Sequence, residues 1–353
     1  MLSLRTLLTF LICLAGAAQA VAAQGPVVAA RAPGAQPFTG LQPAQLAIVI
    51  NDDDPISVEL GEHYRQVRQV PARNVAHVKI PNRPRRLDAE QFRVLKEQID
   101  QQLGPEVQAV LMVWTAPYAV ECNSITSAYT LGLDAGLCQK PCGPSKPSPY
   151  FNAPPGRAPS DFGLRLAMLL PTESLEEGKA LIGRGQVSGF SIQPATAYYL
   201  TTSEQARNSR SPFFPRVAGV PQKKLTIKNL QADALEDAKD IIVYQTGMAR
   251  VAKLETLQFL PGALADHLTS SGGDLLADSQ MSSLRWLEAG ATASYGSVTE
   301  PCNFWQKFPQ PTVLLQHYLA GASAIEAYWR SVAWPAQGVF IGEPLAAPYR
   351  RQR

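Results

Sequence analysis

The chain has 353 residues, 46% of them hydrophobic and 17% charged, with a formal net charge of +3. That length supports one large or two smaller domains with a sizeable core. The charge is too small, and its lysines and arginines too scattered, to form a nucleic-acid-binding face.

The opening stretch, MLSLRTLLTFLICLAGAAQAVAAQ, places Arg5 before an apolar run that reaches about Ala18. Small residues then offer cleavage after Ala20 or Ala23. This is the pattern of a secretory signal peptide over residues 1–23. Ile12 precedes Cys13, where lipoprotein processing wants a small residue, so an exported protein in the periplasm or outside the cell is expected. No later apolar run is long enough to span a bilayer. Residues 24–44 read as an Ala/Pro-rich leader, and 45–353 as a single α/β domain, with two α/β halves as the variant.

From Leu46 the pattern alternates. LAIVIN (46–51), NVAHVKIP and VQAVLMVWT read as strands, and SVELGEHYRQVRQV and DAEQFRVLKEQIDQQLG as the helices between them. Strand–helix repetition with short connections implies a parallel sheet covered by helices on both faces. The rhythm breaks at about 117–160, a Cys/Pro-rich insertion. It resumes with DFGLRLAMLL and SLEEGKALIGRG as helices, ATAYYLTT as a strand, DALEDA as a helix and DIIVYQTG as a buried strand. KLETLQFL follows as a short helix, then Ala263 to Leu268 as a strand and SQMSSLRWLEAG as a helix. ATASYGSVTEP is a strand of small residues. PTVLLQHYLAGASAIEAYWRSVA gives one or two helices, and GVFIGEPLAAP the last strand. No internal repeat is present.

Four cysteines follow the signal: Cys122, Cys138, Cys142 and Cys302. An even number in an oxidising compartment predicts disulfides, and four cysteines allow three pairings. Closeness in the sequence favours Cys138–Cys142, which leaves Cys122–Cys302. The rival readings are a metal site, which lacks CxxC or HxxxH spacing, and a catalytic thiol.

In an open α/β sheet, ligands bind beyond the carboxyl ends of the strands. The loops expected there carry Asn51, Asp52, Asp53, Tyr118, Arg207, Arg210, Asp274 and Glu300. His267, Ser270 and Ser271 stand at one such corner, where a histidine can act as general base toward a serine. The bland alternative is a histidine hydrogen-bonded into the core. Gly272 and Gly273 can present amides to an anion or simply make a turn. Asp52 and Asp53 can hold a divalent cation, and the same cluster can cap the following helix. No other cofactor is suggested. Arg207 and Arg210 can grip a carboxylate or phosphate, or form surface ion pairs. His77, His317 and the tryptophans read as structural.

The phrases YAVECNSITSA, LPGALADHLTSSGGDLL, LEAGATASYGSVTEPCNF, YLAGASAIEAYW and FIGEPLA resemble a family of exported bacterial proteins associated with the exosortase/PEP-CTERM sorting system. The order of strands and polar loops is also similar to that of gingipain-type cysteine peptidases, which have a caspase-like fold. That second resemblance implies a histidine after one parallel strand and a cysteine nucleophile after the next. Here Gln245 stands in the histidine region, and Ser270 and Ser271 stand at the cysteine tip. The expected function is therefore a binding module for a peptide, polymer or envelope component. The alternatives are a divergent hydrolase, using Ser270 or Ser271 with His267 or a thiol at Cys122 or Cys302, and a structural partner in an envelope or extracellular-matrix system.

Overall fold

The structure, a computed structural model, describes residues 40–189 and 192–350. The expected signal peptide and most of the leader lie outside the described residues. The first part of the chain forms β1 (Leu46–Asn51), α1 (Pro55–Arg68), β2 (Val75–Val78), β3 (Arg86–Leu87), α2 (Ala89–Asp100), β4 (Ala109–Val113), β5 (Ala119–Val120), β6 (Asn123–Ser124), α3 (Ile125–Leu131) and β7 (Leu166–Leu169). Then come α4 (Leu175–Val187), β8 (Ala195–Thr201), β9 (Gly219–Val220), β10 (Leu225–Gln231), β11 (Ile241–Thr246), β12 (Phe259–His267), α5 (Leu284–Glu288), β13 (Ala293–Ser297), α6 (Pro311–Leu319), α7 (Ala324–Ser331) and β14 (Gly338–Gly342).

Eleven strands make one sheet in the order β2-β1-β4-β7-β14-β13-β12-β11-β8-β10-β9, and β3, β5 and β6 form a small second sheet. The block β2-β1-β4-β7 is parallel throughout. The block β13-β12-β11-β8-β10 is parallel as well. The fold is thus α/β with a mostly parallel sheet. Between the blocks β14 runs antiparallel to β13 over five residue pairs. With β7 it is bridged at the single pair Ile341 and Leu169, in the parallel sense, but one pair is too short a ladder to set the direction of the whole block. Side-chain contacts set it instead. Tyr118, beyond β4, donates to Asp274, beyond β12. Thr299, beyond β13, donates to the Cys122 carbonyl at 2.8 Å. The carboxyl ends of both blocks therefore open on one rim.

Burial explains most local choices. β1, β4, β7, β11, β13 and β14 are buried at every residue, as expected of strands covered on both faces. Within β12, Asp266 meets Tyr328 of α7 while His267 meets Trp286 of α5. Neighbouring strand residues point to opposite faces, so α5 and α7 cover opposite sides of the sheet. Asp54 caps α1 by accepting the Ile56 amide at 3.0 Å, and Asp88 caps α2 by accepting the Gln91 amide at 2.8 Å.

Several sequence expectations are corrected. DFGLRLAMLL contains β7, because a short run buried on both faces carries no period that separates strand from helix. DALEDA is not helical, and KLETLQFL keeps only the 3₁₀ turn Leu254–Thr256 before β12 begins at Phe259. SQMSSLRWLEAG is α-helical only over Leu284–Glu288. The strand β10 was not anticipated. The 117–160 insertion contains β5, β6 and α3 rather than being a loop alone. Part of the expected leader belongs to the packed body: Leu41 is buried and its amide donates to Glu326 at 3.0 Å.

The free edge of β2 is closed by a side chain. Gln102 accepts from the His77 amide and donates to the His77 carbonyl, both at 2.9 Å. Its amide thus stands in for a neighbouring strand at one residue, where an open edge would invite pairing with another chain. Gln102→Ala is expected to leave the fold intact and raise concentration-dependent self-association in sedimentation velocity. An unchanged sedimentation profile would remove that role.

Candidate functional site

The rim collects chemistry from both blocks. Tyr118 is buried, and its hydroxyl donates to the Asp274 carboxylate. Burial, and then that carboxylate, push the phenol above its ordinary range. Arg86 donates to the Val298 carbonyl at 3.4 Å, which ties the small sheet to the tip of β13.

The tip of β12 is rigidly built. His267 is 1% exposed. Trp286 Nε1–H donates to its Nδ1 at 2.9 Å, which makes Nδ1 the acceptor and leaves the ring proton on Nε2. That proton faces the Met281 carbonyl at 3.1 Å. Burial lowers the pKa to about 3; the Met281 bond opposes this, while Arg210 and Arg207 add to it. The imidazole is therefore neutral, with its basic nitrogen occupied. No hydrogen bond joins His267 to Ser270 or Ser271 among the described residues, so the general-base expectation gives way to the structural alternative.

Ser270 and Ser271 are partly exposed. Their backbone is fixed: Ser297 Oγ donates to the Ser270 carbonyl at 3.1 Å, and the Ser271 amide donates to Gln280 Oε1 at 2.9 Å. Gln280 Oε1 also accepts from Thr269 Oγ1 at 2.6 Å. Neither serine hydroxyl makes a hydrogen bond among the described residues. Gly273 serves packing. Gly273 has no room for a Cβ, which would lie 2.4 Å from the Gly296 carbonyl oxygen. The Gly273 amide is already given to the Ser297 carbonyl at 2.9 Å, so it is not a spare donor for an anion. Neither Gly272 nor Gly273 has positive φ.

The two arginines separate. Arg210 is 2% exposed and ion-paired with Asp266 at 2.5 Å. It also donates to the carbonyls of Thr246 at 2.8 Å and Pro309 at 3.2 Å, while Gln245 Nε2 donates to the other Asp266 oxygen at 2.9 Å. That network staples the tips of β8, β11 and β12, and it corrects the expectation that Arg210 grips a ligand. Removing either partner would strand a buried charge. Arg207 remains at the rim, paired with Glu204 and 3.4 Å from Thr269 Oγ1.

The acidic cluster after β1 does other work. Asn51 is buried, and its Oδ1 accepts from the amides of Asp53 at 3.2 Å and Ile80 at 2.9 Å. Asp52 pairs with His77 at 2.7 Å, and Asp54 caps α1. Asp53 is exposed. No group of three or more metal-ligating side chains gathers among the described residues. Glu300 is exposed, and its carboxylate accepts the Cys302 amide at 2.7 Å.

The expected disulfides are also re-paired. Cys122 bonds Cys138, and Cys142 bonds Cys302, each with Cα atoms 5.2 Å apart. Neighbouring cysteines in CQKPC face different partners, because tertiary folding brings the β5–β6 turn to Cys138 and the segment after β13 to Cys142. All four sulfurs are thereby engaged, and a thiol nucleophile at Cys122 or Cys302 is excluded in this form.

Beside the rim lies a cleft of about 400 Å³ between α4 and α5, lined by Glu173, Glu177, Leu181, Arg184, Leu284 and Leu287. It adjoins a second hollow of about 340 Å³, and the two share Glu173, Leu284 and Glu288. Leucine floors with polar walls suit a ligand that carries both characters. Sequence reading missed this cleft, since α4 and α5 are distant in the chain. It also missed Trp286 as the partner of His267, and Asp266, whose only signal was an acid inside the apolar run ALADH. Comparison with protein-family models, with curated proteins and with solved structures finds no match to the chain.

Proposed function

We propose that this protein is an exported binding module that holds a peptide, polymer or envelope component along the rim and its adjoining cleft, and does not turn it over. One observation carries the reading. The rim histidine is neutral and held by Trp286 and Met281, so the free serine hydroxyls have no adjacent base. A serine is a weak nucleophile until a base or a lowered pKa activates it. The paired cysteines support the same conclusion against thiol chemistry. Gln245, in the region where gingipain-type peptidases keep a histidine, is committed to Asp266. Kinship with those enzymes, and with the exosortase-associated exported family, stays within this proposal. It rests on the sequence phrases and on the order of strands and polar loops read from the sequence.

The test uses the purified, oxidised protein. Fluorophosphonate and thiol-directed activity probes are expected to leave it unlabelled. Pull-down of envelope and matrix fractions is expected to depend on the cleft, with retention lost in Leu284→Asp/Leu287→Asp and kept in Ser270→Ala/Ser271→Ala. Fluorophosphonate labelling abolished by the double serine substitution would overturn the reading and make the protein a hydrolase.

A further inference from the structure

The segment 138–142 is fastened at both ends to different parts of the chain. Cys138 is tied to Cys122 in the β5–β6 turn, and Cys142 to Cys302 beyond β13. Between them the Pro141 carbonyl turns onto Lys307, whose Nζ donates to it at 2.5 Å. Gln337 Nε2 shares that oxygen at 3.3 Å, and also donates to the Glu300 carbonyl at 2.8 Å and to Thr299 Oγ1 at 3.2 Å.

Lys307 is 1% exposed. No carboxylate lies within ion-pair distance of it among the described residues, and the Pro141 oxygen is the one hydrogen-bond acceptor its ammonium has there. The Phe304 ring lies 5.8 Å from Nζ. Gln337 Oε1, in the same nest, is buried without a partner. Burial lowers the amine to about 8, against the pull of Asp134 and Glu300. A buried cation with so few partners does not favour the fold. What keeps it covered is a loop held down by two bonds that a reductant can cut.

We propose that residues 138–142 form a redox-released cover over the Lys307 amine, with the Cys142–Cys302 bridge as its latch. A dithiol reductant supplies two electrons and two protons. The Sγ–Sγ bond breaks, two cysteine thiols form, and the reductant leaves as its cyclic disulfide. Freed at Cys142, Pro141 lifts from Lys307, and a primary amine opens beside Glu300 at the tip of β13. The oxidised protein is the closed form.

The experiment is amine acylation with an N-hydroxysuccinimide ester on the full folded chain, read at Lys307 by peptide mass spectrometry. The half-buried Lys179 and the exposed Lys253 serve as internal standards. Oxidised protein is expected to leave Lys307 almost unlabelled, and brief treatment with dithiothreitol is expected to raise its labelling roughly tenfold or more, as for a local opening. Far-ultraviolet circular dichroism and the two standards should stay unchanged. Cys142→Ser/Cys302→Ser should label at Lys307 without reductant, whereas Cys122→Ser/Cys138→Ser should label less. Equal labelling before and after reduction would overturn the proposal, as would labelling that appears only when the dichroism signal collapses. If the Cys142 pair variant does not fold, the wild-type comparison decides alone.

Discussion

Acidification from pH 7.5 to 4.5 will destabilise the fold, and His267 will account for on the order of 3 kcal/mol of the loss. The sign follows from the depressed value. The histidine titrates near 6.5 when unfolded and at about 3 when folded. Between those values the unfolded chain binds a proton that the native chain refuses. The contribution is therefore fully present above pH 6.5 and is lost progressively as the pH falls toward 3. His317, lowered to about 4 chiefly by burial and then by Arg330, acts in the same direction. Guanidinium unfolding at the two pH values checks this for the wild type and for His267→Gln, which retains one donor and one acceptor for Met281 and Trp286 without a titrating ring. The variant should lose markedly less stability over the interval. Equal losses would mean that His267 is not held neutral.

The second large effect concerns the cysteines. In the chain-entropy account a cross-link stabilises more as it closes a longer loop. Cys142–Cys302 spans 160 positions and Cys122–Cys138 spans 16. Removing the longer bridge as Cys142→Ser/Cys302→Ser should cost about 5 kcal/mol, and removing the shorter as Cys122→Ser/Cys138→Ser about 3 kcal/mol. Denaturant midpoints on the oxidised proteins measure the difference. Non-reducing peptide mapping with a broad-specificity protease should recover the Cys122–Cys138 and Cys142–Cys302 fragments. A Cys138–Cys142 fragment from native protein would refute the connectivity.

Much of the sheet was legible in the sequence. Long apolar runs such as LAIVIN and DIIVYQTG have one good home, between two layers of helices, and helices with caps such as Asp88 announce their own ends. The segment LAML did not, because a central strand of four buried residues lacks any period. β10 was missed because its alternation is weak at a sheet edge. The site was less legible. Parallel strands announce that some polar loops will share a rim, yet the roles of His267, Arg210 and the cysteines depended on partners far along the chain. Trp286 lies 19 positions from His267 and Asp266 lies 56 from Arg210. Residue type alone does not say which polar group another will meet.

Glu326 has a consequence for how the molecule would sit on a support. Its carboxylate accepts the Leu41 amide at 3.0 Å and the Arg350 guanidinium at 3.2 Å, and Arg350 in turn donates to the Leu41 carbonyl at 2.7 Å. Leu41 and Arg350, near the two limits of the described residues, are thus clasped at one spot, near the entry to β1 and on the far side of the sheet from the carboxyl tips. A support attached at that clasp would face the amino-terminal edge of β1, and the polar tips would face away from it.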